Sequence, residues 1–291
     1  MKTVFTRNQK NGLIYYTSDL LTKNGFIHGF FTRHGGVSKG DFASLNISHA
    51  RKDHDGNTDS TDNIFENYSR ALNVLGTSVH RAVGTTQVHE NTVLRVSDDY
   101  AGHGINPLLP PLSGCDGLII DQSSENVDAV IVKTADCVPI LLADKNTGNV
   151  SAVHAGWRGT VADIVTVAAK KMDCNPQDLL CAIGPCINVC CYEVGEEVKD
   201  AVKKLFSAKD MEDKTDSMFR QGCVCSMKPT LHADLPLINK TLLMKFGVPE
   251  ENIDLSDICT CCGGDDFFSH RKSGGFSGTF PSAILKRRSH G

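Results

Sequence analysis

The sequence predicts one α/β domain of the α+β kind, in which mixed, largely antiparallel β-sheets are layered with helices. Strand-like runs rich in short and β-branched apolar residues cluster in the middle of the chain, and helical periodicities surround them. The 291 residues show no internal repeat, low-complexity tract or long linker, so we expect a single domain over 1–291. No G-x-G-x-x-G follows a strand and no G-x4-G-K-[S/T] occurs, which argues against dinucleotide and P-loop folds.

The predicted elements follow in order along the chain. A polar loop over 35–60 leads into a helix over Asp62–Leu75, where apolar residues recur at helical spacing until Gly76. The next elements are the strands Gly117–Asp121, Ala129–Thr134, Val138–Ala143 and Asn149–Ala155, the helix Arg158–Met172, the strand Leu179–Ile183, and the helices Gly195–Phe206 and Asp234–Phe246. Asp234 is a capping residue type and Gly247 a helix-ending one, which supports the bounds of the last helix.

Charge and composition exclude several classes of protein. A net charge of −4 and a pI near 6.2 give no basic footprint for nucleic acid or an anionic membrane surface. No apolar run approaches the roughly 20 residues that span a bilayer, and the N-terminus has no apolar signal-peptide core. We therefore expect a cytoplasmic protein that contacts neither nucleic acid nor membrane.

Twelve cysteines are many for a chain without an export signal, and we expect them to be reduced. They include two close clusters, Cys186 with Cys190 and Cys191, and Cys259 with Cys261 and Cys262. Neither cluster matches a paired C-x2-C zinc ribbon, so we interpret them as small buried residues. A second metal site or a redox pair is the alternative.

The most informative pair is Cys137 and His154, which lie in T-A-D-C-V-P-I-L-L-A-D (134–144) and S-A-V-H-A-G-W-R-G-T (151–160). These runs predict two strands joined by a hairpin. A loop over Asp144–Thr147 places Cys137 opposite His154. Directly opposed residues point to the same face with Cβ atoms about 5 Å apart. A thiolate and an imidazole at that separation can share a metal ion, or one can deprotonate the other.

Three protein ligands and one open position are typical of a catalytic zinc site. His89, in T-T-Q-V-H-E (85–90), is the expected third ligand beside Cys137 and His154, because it directly follows a possible strand. Sulfur and imidazole ligands suit Zn²⁺, with Cu²⁺ also possible, and disfavour Mg²⁺ or Ca²⁺. A cysteine hydrolase with Cys137 as nucleophile and His154 as base remains an alternative.

The same residues belong to a set of motifs that occur in a known family. The motifs are F-T-R-H-G-G-V-S (31–38), S-L-N (44–46), Q-V-H (87–89), D-G-L-I-I (116–120), T-A-D-C-V-P-I-L (134–141), V-H-A-G-W-R-G-T (153–160), I-G-P-C-I (183–187), Y-E-V-G (192–195), C-T (259–260) and F-F-S-H-R-K (267–272). In this order they resemble the YfiH/laccase-domain family of multicopper polyphenol oxidase-like proteins and purine nucleoside phosphorylases. The resemblance spans nearly the whole chain.

The resemblance implies a YfiH-like fold and a zinc ion on the residues matching His89, Cys137 and His154. It implies phosphorolysis of adenosine, inosine, guanosine and methylthioadenosine, together with adenosine deamination. The older family name implies a copper-dependent polyphenol oxidase instead, but a multicopper site needs histidine pairs and this chain has no H-x-H. The chain also departs from the pattern at Glu90, where many members have Gly, and at Ser277-Gly278-Thr279 near the end of the chain, a segment in which many members carry an Arg.

Phosphorolysis requires cations that hold phosphate near the anomeric carbon of the sugar. Arg33 leads the candidates because it adjoins a Gly-rich turn, and Arg158 and Arg271 follow, with surface salt bridges as the alternative for each. Asn46 either orients a ribose hydroxyl or caps a turn. The expected partners are purine nucleosides and phosphate, and the chain is expected to be a monomer or a homodimer.

Deamination gains from a general base and a surface on which the purine stacks. Asp136 and Glu90 are the acidic candidates, but each neighbours an expected ligand, so on a strand its side chain points to the opposite face. We therefore expect a supporting role for Asp136. Trp157, the only tryptophan, either stacks on a purine or packs in the core.

Overall fold

The structure is a computed structural model that describes residues 4–206, 215, 217–221 and 230–287. Fourteen β-strands form two six-stranded sheets and one two-stranded ribbon within these residues. They are β1 (Phe5–Lys10), β2 (Leu13–Ser18), β3 (His28–Phe31), β4 (Ala82–Gly84), β5 (Val93–Val96), β6 (Gly117–Ile120), β7 (Ala129–Thr134), β8 (Val138–Asp144), β9 (Val150–Ala155), β10 (Leu179–Ile183), β11 (Phe219–Gln221), β12 (Leu231–Ala233), β13 (Ile253–Leu255) and β14 (Phe280–Leu285).

Both large sheets are mixed and largely antiparallel, which confirms the predicted fold class. The first sheet has the order β1-β2-β3-β14-β7-β4, and only its β4–β7 pair is parallel. The second has the order β13-β10-β8-β9-β6-β5, with parallel pairs at its two edges. The predicted strands Ala129–Thr134 and Leu179–Ile183 have the observed bounds of β7 and β10.

A shared apolar core lies between the two sheets. Val130 and Val132 of β7 contribute to it, while Ala129 and Ile131 of the same strand belong to the core on the other face. This alternation follows from the two-residue period of a strand. Each sheet is therefore buried on both faces, which explains why its central strands are almost continuously apolar.

Helices cover the outer faces of the sheets. The α-helices of the described residues are α1 (Asp19–Lys23), α2 (Thr61–Val74), α3 (Trp157–Val161), α4 (Ile164–Lys171), α5 (Glu196–Leu205) and α6 (Leu235–Phe246). Short 3₁₀ turns occur at Gly40–Phe42, Val79–Arg81, Asp98–Tyr100, Pro176–Asp178 and Glu250–Asn252. The helix α2 packs on the first sheet, and α4 and α6 pack on the second. No helix in these residues has the length and apolar character needed to cross a membrane.

Capping residues explain the bounds of the helices. Ser60 accepts a hydrogen bond from the backbone of Asn63 at the start of α2, and Asp234 accepts one from Leu237 at the start of α6. Gly247 ends α6 in the left-handed conformation, with φ 110°. The caps predicted at Asp234 and Gly247 are confirmed.

The helix predicted over Arg158–Met172 is wrong as one continuous element. Asp163 has φ 57° and separates α3 from α4. Its left-handed backbone interrupts the helical hydrogen-bond ladder, so the axis can change direction between the two short helices. The predicted apolar face is confirmed for α4, where Ile164, Val165 and Ala168 are buried against the second sheet.

The register predicted for the β8–β9 hairpin is also wrong, by two residues. Pro139, not Cys137, lies opposite His154, because Ala143 pairs with Val150 and the connection is therefore longer than four residues. Cys137 lies in the bend directly before β8. Since a strand has a period of two residues, a shift of two leaves the pattern on the same face.

Candidate active site

Three side chains meet where the ends of strands from both sheets approach one another. His154 lies on β9, Cys137 in the bend between β7 and β8, and His89 in the loop between β4 and β5. One ligand atom from each lies within 4.8 Å of the other two. The two imidazole rings stand at 89° with their centroids 4.9 Å apart. The structure thus brings together all three expected metal ligands.

Asp116 positions two of these ligands through hydrogen bonds. The fully buried carboxylate accepts a hydrogen bond from Nδ1 of His154 at 2.8 Å. It also accepts the backbone N–H groups of Val88, His89 and Glu90, at 3.1, 2.9 and 3.0 Å. The bond to Nδ1 fixes the His154 ring and leaves Nε2 for a metal.

Electrostatics favour the charged forms of this cluster. Burial raises the pKa of the Asp116 carboxyl, but hydrogen bonds from His154 and from the backbone at residues 89 and 90 outweigh it and keep this pKa below its usual value. Burial also opposes ionisation of Cys137, yet the His154 and His89 imidazoles lower the thiol pKa well below its ordinary value. Despite burial, the Cys137 thiolate and Asp116 raise the pKa of His154.

The backbone around the ligands has a special geometry. His89 has φ 64° and Asp136, directly before Cys137, has φ 85°. Residues other than glycine rarely adopt this region, so the local conformation is held by its surroundings. At Gly156 an added Cβ would lie 3.3 Å from Cys137 Sγ and 3.3 Å from His89 Cδ2, which explains why glycine follows the β9 strand here.

The donor set fits a metal ion of the zinc class. One thiolate and two imidazoles are ligands of catalytic zinc sites, and a carboxylate behind one imidazole is the usual outer support of such a site. His89 is exposed and Cys137 partly exposed, so the open side of the cluster faces a cavity. These residues could hold one metal ion with room for a further ligand.

The cavity has a volume of about 530 Å³, within the range of small-molecule sites. Besides the three candidate ligands, Asp136 and Gly156, its lining includes Ser48, Ala50, Arg51, Gln87, Lys133, Thr134, Ala135, Trp157, Arg158, Ile187, Tyr192, Leu235, His270, Arg271 and Thr279. Four of these residues are arginine or lysine and only Asp136 is acidic. The cavity therefore suits an anion attached to a partly apolar group.

The cationic side chains are oriented by contacts on the cavity wall. Arg158 stacks on Trp157, with Cζ 4.4 Å from the ring centroid. The Arg271 guanidinium donates to the carbonyls of Cys191 and Glu193 at 3.3 and 2.9 Å. Lys133 donates from Nζ to the carbonyl of Thr85, and burial lowers the pKa of its ammonium to about 8.

His270 has a defined hydrogen-bonding state. Arg51 Nη1 lies 2.8 Å from His270 Nδ1, and a guanidinium can only donate. Nδ1 is therefore the acceptor and Nε2 carries the hydrogen of the neutral ring. Burial and the adjacent Arg51 lower the pKa of His270, which keeps the ring neutral at physiological pH.

Two buried hydroxyl groups on the wall have unused hydrogen-bonding capacity. Thr134 Oγ1 and Thr279 Oγ1 are inaccessible to water and have no hydrogen-bond partner among the described residues. Buried polar atoms are normally paired, so these two hydroxyls are unusual, but oxygens closed to water are closed to a ligand in the cavity as well. Thr279 lines the cavity from the segment directly before β14.

Two of the expected substrate-binding residues lie elsewhere. Arg33 is not among the residues lining the cavity: its Nε donates to the carbonyl of Ala43 and its guanidinium covers the Phe268 ring at 4.5 Å. Asn46 is fully buried, and its Oδ1 accepts the backbone N–H groups of Ser48 and Thr279. Its side chain supports a turn, so we place neither residue in the substrate site. Arg158 and Arg271 do line the cavity.

The acidic candidates have different positions. Glu90 is exposed and absent from the cavity wall, and it contributes its backbone N–H to Asp116. Asp136 lines the cavity but its carboxylate is occupied, since it accepts hydrogen bonds from Thr260 Oγ1, Ser269 Oγ and the Arg271 backbone at 2.7, 2.9 and 2.7 Å. This geometry favours positioning of the 260–271 segment over direct proton transfer.

Sequence reasoning missed several residues of the site. Asp116 stands in D-G-L-I-I, where an acidic residue directly before a buried strand was a usable signal. Lys133 gave a similar signal as a lysine inside a strand that is otherwise apolar. Arg51 and His270 reach the cavity from loops far apart in sequence; His270 lies in the F-F-S-H-R-K motif, whereas no local pattern marks Arg51.

Comparisons with known proteins identify the family and the fold. Residues 27–287 match the family described as multi-copper polyphenol oxidoreductase laccase. A purine nucleoside phosphorylase of Bacteroides thetaiotaomicron is 33% identical over 262 residues, which cover 89% of this chain and 90% of that protein. Adenosine deaminase RL5, from an unknown prokaryotic organism, is 32% identical over 217 residues, covering 73% and 78% of the two chains. The crystal structure of YlmD from Geobacillus stearothermophilus has a TM-score of 0.83 at 30% identity and covers 99% of this chain and 100% of that one.

Proposed function

Because this chain belongs to the multi-copper polyphenol oxidoreductase laccase family, we propose that it is a zinc-dependent purine nucleoside phosphorylase that also deaminates adenosine. The proposed substrates are adenosine, inosine, guanosine and methylthioadenosine, with phosphate as the second substrate. The observation that carries the proposal is the three-ligand cluster of His89, Cys137 and His154 that opens into a cavity lined by cationic side chains.

Phosphate binding is assigned to the cationic wall. Arg51, Lys133, Arg158 and Arg271 all border the cavity, and guanidinium groups can donate paired hydrogen bonds to phosphate oxygens. Arg51 and Lys133 are half-buried, which strengthens their attraction for an anion, whereas Arg158 and Arg271 are exposed.

In phosphorolysis, a phosphate oxygen forms a bond to the anomeric carbon of the ribose while the bond from that carbon to the purine nitrogen breaks. The products are ribose 1-phosphate and the free base, which gains a proton on nitrogen. Trp157 and Tyr192 offer aromatic faces for the purine. His270 Nε2–H offers a hydrogen bond to a developing negative charge on the departing base.

In deamination, a water oxygen adds to the carbon that bears the amino group, and ammonia leaves. When bound by His89, Cys137 and His154, zinc supplies hydroxide at neutral pH because it lowers the pKa of its water to about 7. Asp116 keeps the His154 ring in the orientation and tautomer that present Nε2 to the site. Asp136 holds the backbone of Arg271 on the opposite wall.

A copper-dependent polyphenol oxidase is the competing function, and the family description motivates it. Within the described residues, the candidate ligand groups are the His89/Cys137/His154 cluster and a second group of four cysteines. Neither supplies the several histidines of a trinuclear copper centre. Copper can still occupy the three-ligand site, since Cu²⁺ binds most nitrogen and sulfur sites more tightly than Zn²⁺.

A cysteine hydrolase is the second competing function. The ionised thiol of Cys137 close to the His154 imidazole is the arrangement that a nucleophilic cysteine requires. In that case a metal ion would inhibit the chain, and chelation would activate it. The metal requirement therefore separates this reading from the proposed one.

The deciding experiment incubates the zinc-loaded protein with inosine and phosphate and follows hypoxanthine and ribose 1-phosphate by chromatography. Both products should form in equal amounts and only with phosphate present, and His154→Ala should abolish them. Adenosine without phosphate should give inosine and ammonia. The proposal is rejected if no products form at any zinc loading. It is also rejected if only the copper-loaded protein is active and its activity is oxygen uptake with a phenol.

A further inference from the structure

A second group of potential metal ligands lies beside the cavity, outside the site described above. The sulfur atoms of Cys190, Cys191, Cys259 and Cys262 all lie within 4.8 Å of one another. We propose that these four cysteines bind a structural zinc ion that fastens two turns of the active-site wall together. The proposal concerns this cluster alone and is independent of the reaction catalysed.

The spacing of the sulfur atoms suits one tetrahedral ion. Four thiolates about 2.3 Å from zinc place their sulfurs about 3.8 Å apart, from tetrahedral geometry. The Cys190 and Cys262 sulfurs are 3.5 Å apart, and no pair in the group exceeds 4.8 Å. A disulfide requires a sulfur separation near 2.05 Å, and none of the four cysteines forms one in the structure. A multi-iron cluster would need wider spacing, because iron and sulfide atoms must fit between the thiolates.

The local sequence has half of a zinc-binding pattern. Cys259 and Cys262 are separated by two residues, which is the spacing of one C-x2-C zinc knuckle. The Cys259 sulfur accepts hydrogen bonds from the backbone N–H groups of Cys261 and Cys262, and from that of Asn188 at an N–S distance of 3.5 Å. Backbone donors to a cysteine sulfur are the outer support that a thiolate ligand uses. The partner half is the adjacent pair Cys190 and Cys191.

Backbone contacts hold the two halves face to face. The Cys191 and Tyr192 N–H groups donate to the Asn188 carbonyl and form one turn, and Gly263 donates to the Cys259 carbonyl and closes the other. Gly263 is needed there, because a Cβ would lie 2.4 Å from that carbonyl oxygen. The two turns are joined by β-bridge pairing between Cys186 and Cys259 and by a hydrogen bond from Asn188 Nδ2 to the Asp257 carbonyl. These backbone and side-chain bonds therefore place the cysteines of the two turns close together.

Burial argues against the alternative that these are ordinary small core residues. Only Cys259 is buried, while Cys190 and Cys262 are exposed and Cys191 is intermediate. The interpretation of the clusters as buried residues is thus wrong for Cys190, Cys191 and Cys262, although Cys259 is buried as expected. It holds for Cys186, which is fully buried and outside the four-sulfur group. Four thiols in mutual contact, two of them open to water, are costly to keep reduced and are typical of a metal site.

A zinc ion here would brace the wall of the cavity. Tyr192 follows Cys191 directly and lines the cavity, and Ile187 lines it from the start of the same turn. Thr260, inside the other turn, donates to Asp136, and Arg271 donates to the Cys191 carbonyl. The first turn therefore supplies side chains to the wall and the second is hydrogen-bonded to Asp136 on the wall, so tying the turns together would hold this part of the wall in place.

The test counts zinc in a chain whose first site has been removed. The Cys137→Ala/His154→Ala protein, purified without chelator under reducing conditions, should retain one zinc per chain by native mass spectrometry and elemental analysis. Adding Cys259→Ser and Cys262→Ser should remove that zinc. The matched control adds Cys261→Ser, which alters a neighbouring cysteine outside the four-sulfur group, and should keep one zinc per chain.

A second measurement covers the risk that the multiple variant misfolds. In the otherwise unaltered chain, Cys190→Ser changes only an exposed side chain. One of the two zinc sites should then lose zinc to a competing chelator more readily, by roughly tenfold or more. Cobalt loaded into the Cys137→Ala/His154→Ala protein should give thiolate charge-transfer absorption that weakens when Cys190→Ser is added. The proposal would be overturned by a Cys137→Ala/His154→Ala protein that contains no zinc, or that contains iron in place of zinc. A disulfide among the four cysteines would overturn it too, as would an equal loss of zinc with Cys261→Ser.

Discussion

His154 donates its Nδ1 hydrogen to Asp116 across 2.8 Å, and the same carboxylate accepts the backbone N–H of His89 at 2.9 Å. One buried acid therefore positions two of the three candidate metal ligands, which come from segments 65 residues apart in the chain. Its ionised form matches the four donors that converge on it. Neutralising this group should disturb the metal site without removing any ligand.

Replacing Asp116 with asparagine is expected to weaken zinc binding at the first site by roughly 10- to 100-fold, the usual effect of losing an outer-shell partner. The amide has one oxygen acceptor, so its NH₂ group must face a backbone donor or the His154 ring. Competition with a chromogenic chelator measures the change in zinc affinity. The control is Asp178→Asn, which removes a partly exposed pairing with Lys145 and should leave zinc affinity unchanged. Equal affinities for Asp116→Asn and the parent would show that Asp116 has no role in orienting the ligands.

Cys137 should react with iodoacetamide only when the metal is absent. The adjacent His154 and His89 imidazoles lower the thiol pKa despite burial, so the metal-free chain contains a thiolate at neutral pH. In the zinc-loaded protein the same sulfur is engaged as a ligand and should be protected. Peptide mapping by mass spectrometry gives both rates, with the buried Cys181 as an internal control whose thiol pKa is raised by burial. Equally fast alkylation with and without chelator would favour the cysteine hydrolase.

Phosphate binding should weaken as pH rises above 8. Burial lowers the pKa of Lys133 from the ordinary lysine value to about 8, so the ammonium loses its proton, and its attraction for phosphate, above that pH. If the charge is required, the KM for phosphate should rise by up to about tenfold per pH unit beyond the pKa. Initial rates at varied phosphate and saturating inosine between pH 7 and about 9.5 measure the profile.

Two variants decide whether Lys133 causes that profile. Lys133→Arg keeps the charge over the whole range, because a guanidinium does not deprotonate, and should flatten the rise. Lys133→Met should have a high phosphate KM at every pH. A profile that is the same in the parent and in Lys133→Arg would assign the titration to another group.

The sheets were the most predictable part of the fold, because their signal is local. Ala129–Thr134 and Leu179–Ile183 are short β-branched or apolar runs bounded by polar residues, and their bounds agree with the structure. The turn between β8 and β9 was not predictable to the residue, since Asp144–Asn149 fits loops of several lengths. The break at Asp163 was also hidden, because the apolar spacing continues through it while one backbone angle does not.

The site was predictable only where chemistry and sequence proximity coincide. His154 lies on β9 and Cys137 in the bend directly before the neighbouring β8, so an error of two residues in register still left them close together. Arg33 and Asn46 lie in motifs as distinctive as theirs, yet they support the loop over 33–48 instead of lining the cavity. Arg51 replaces them on the wall through its contact with His270, 219 residues away. Such a contact depends on the packing of both loops and not on either local sequence.

Asp136→Asn tests whether this acid positions substrate groups or takes part in metal binding. Its carboxylate accepts hydrogen bonds from Thr260, Ser269 and the Arg271 backbone, and it does not belong to the three-ligand group. An asparagine leaves at least one of these donors unpaired, a cost of about 1–3 kcal/mol, so the 269–271 segment should shift away from the cavity. We expect the KM for phosphate to rise roughly tenfold or more, by conversion of that cost, while zinc content stays at the parent value.

Thr260→Val, which removes one donor and keeps the carboxylate, should have a smaller effect on the same KM. Loss of zinc with Asp136→Asn, or a fall in kcat at unchanged KM, would contradict the positioning role and return Asp136 to the list of direct participants.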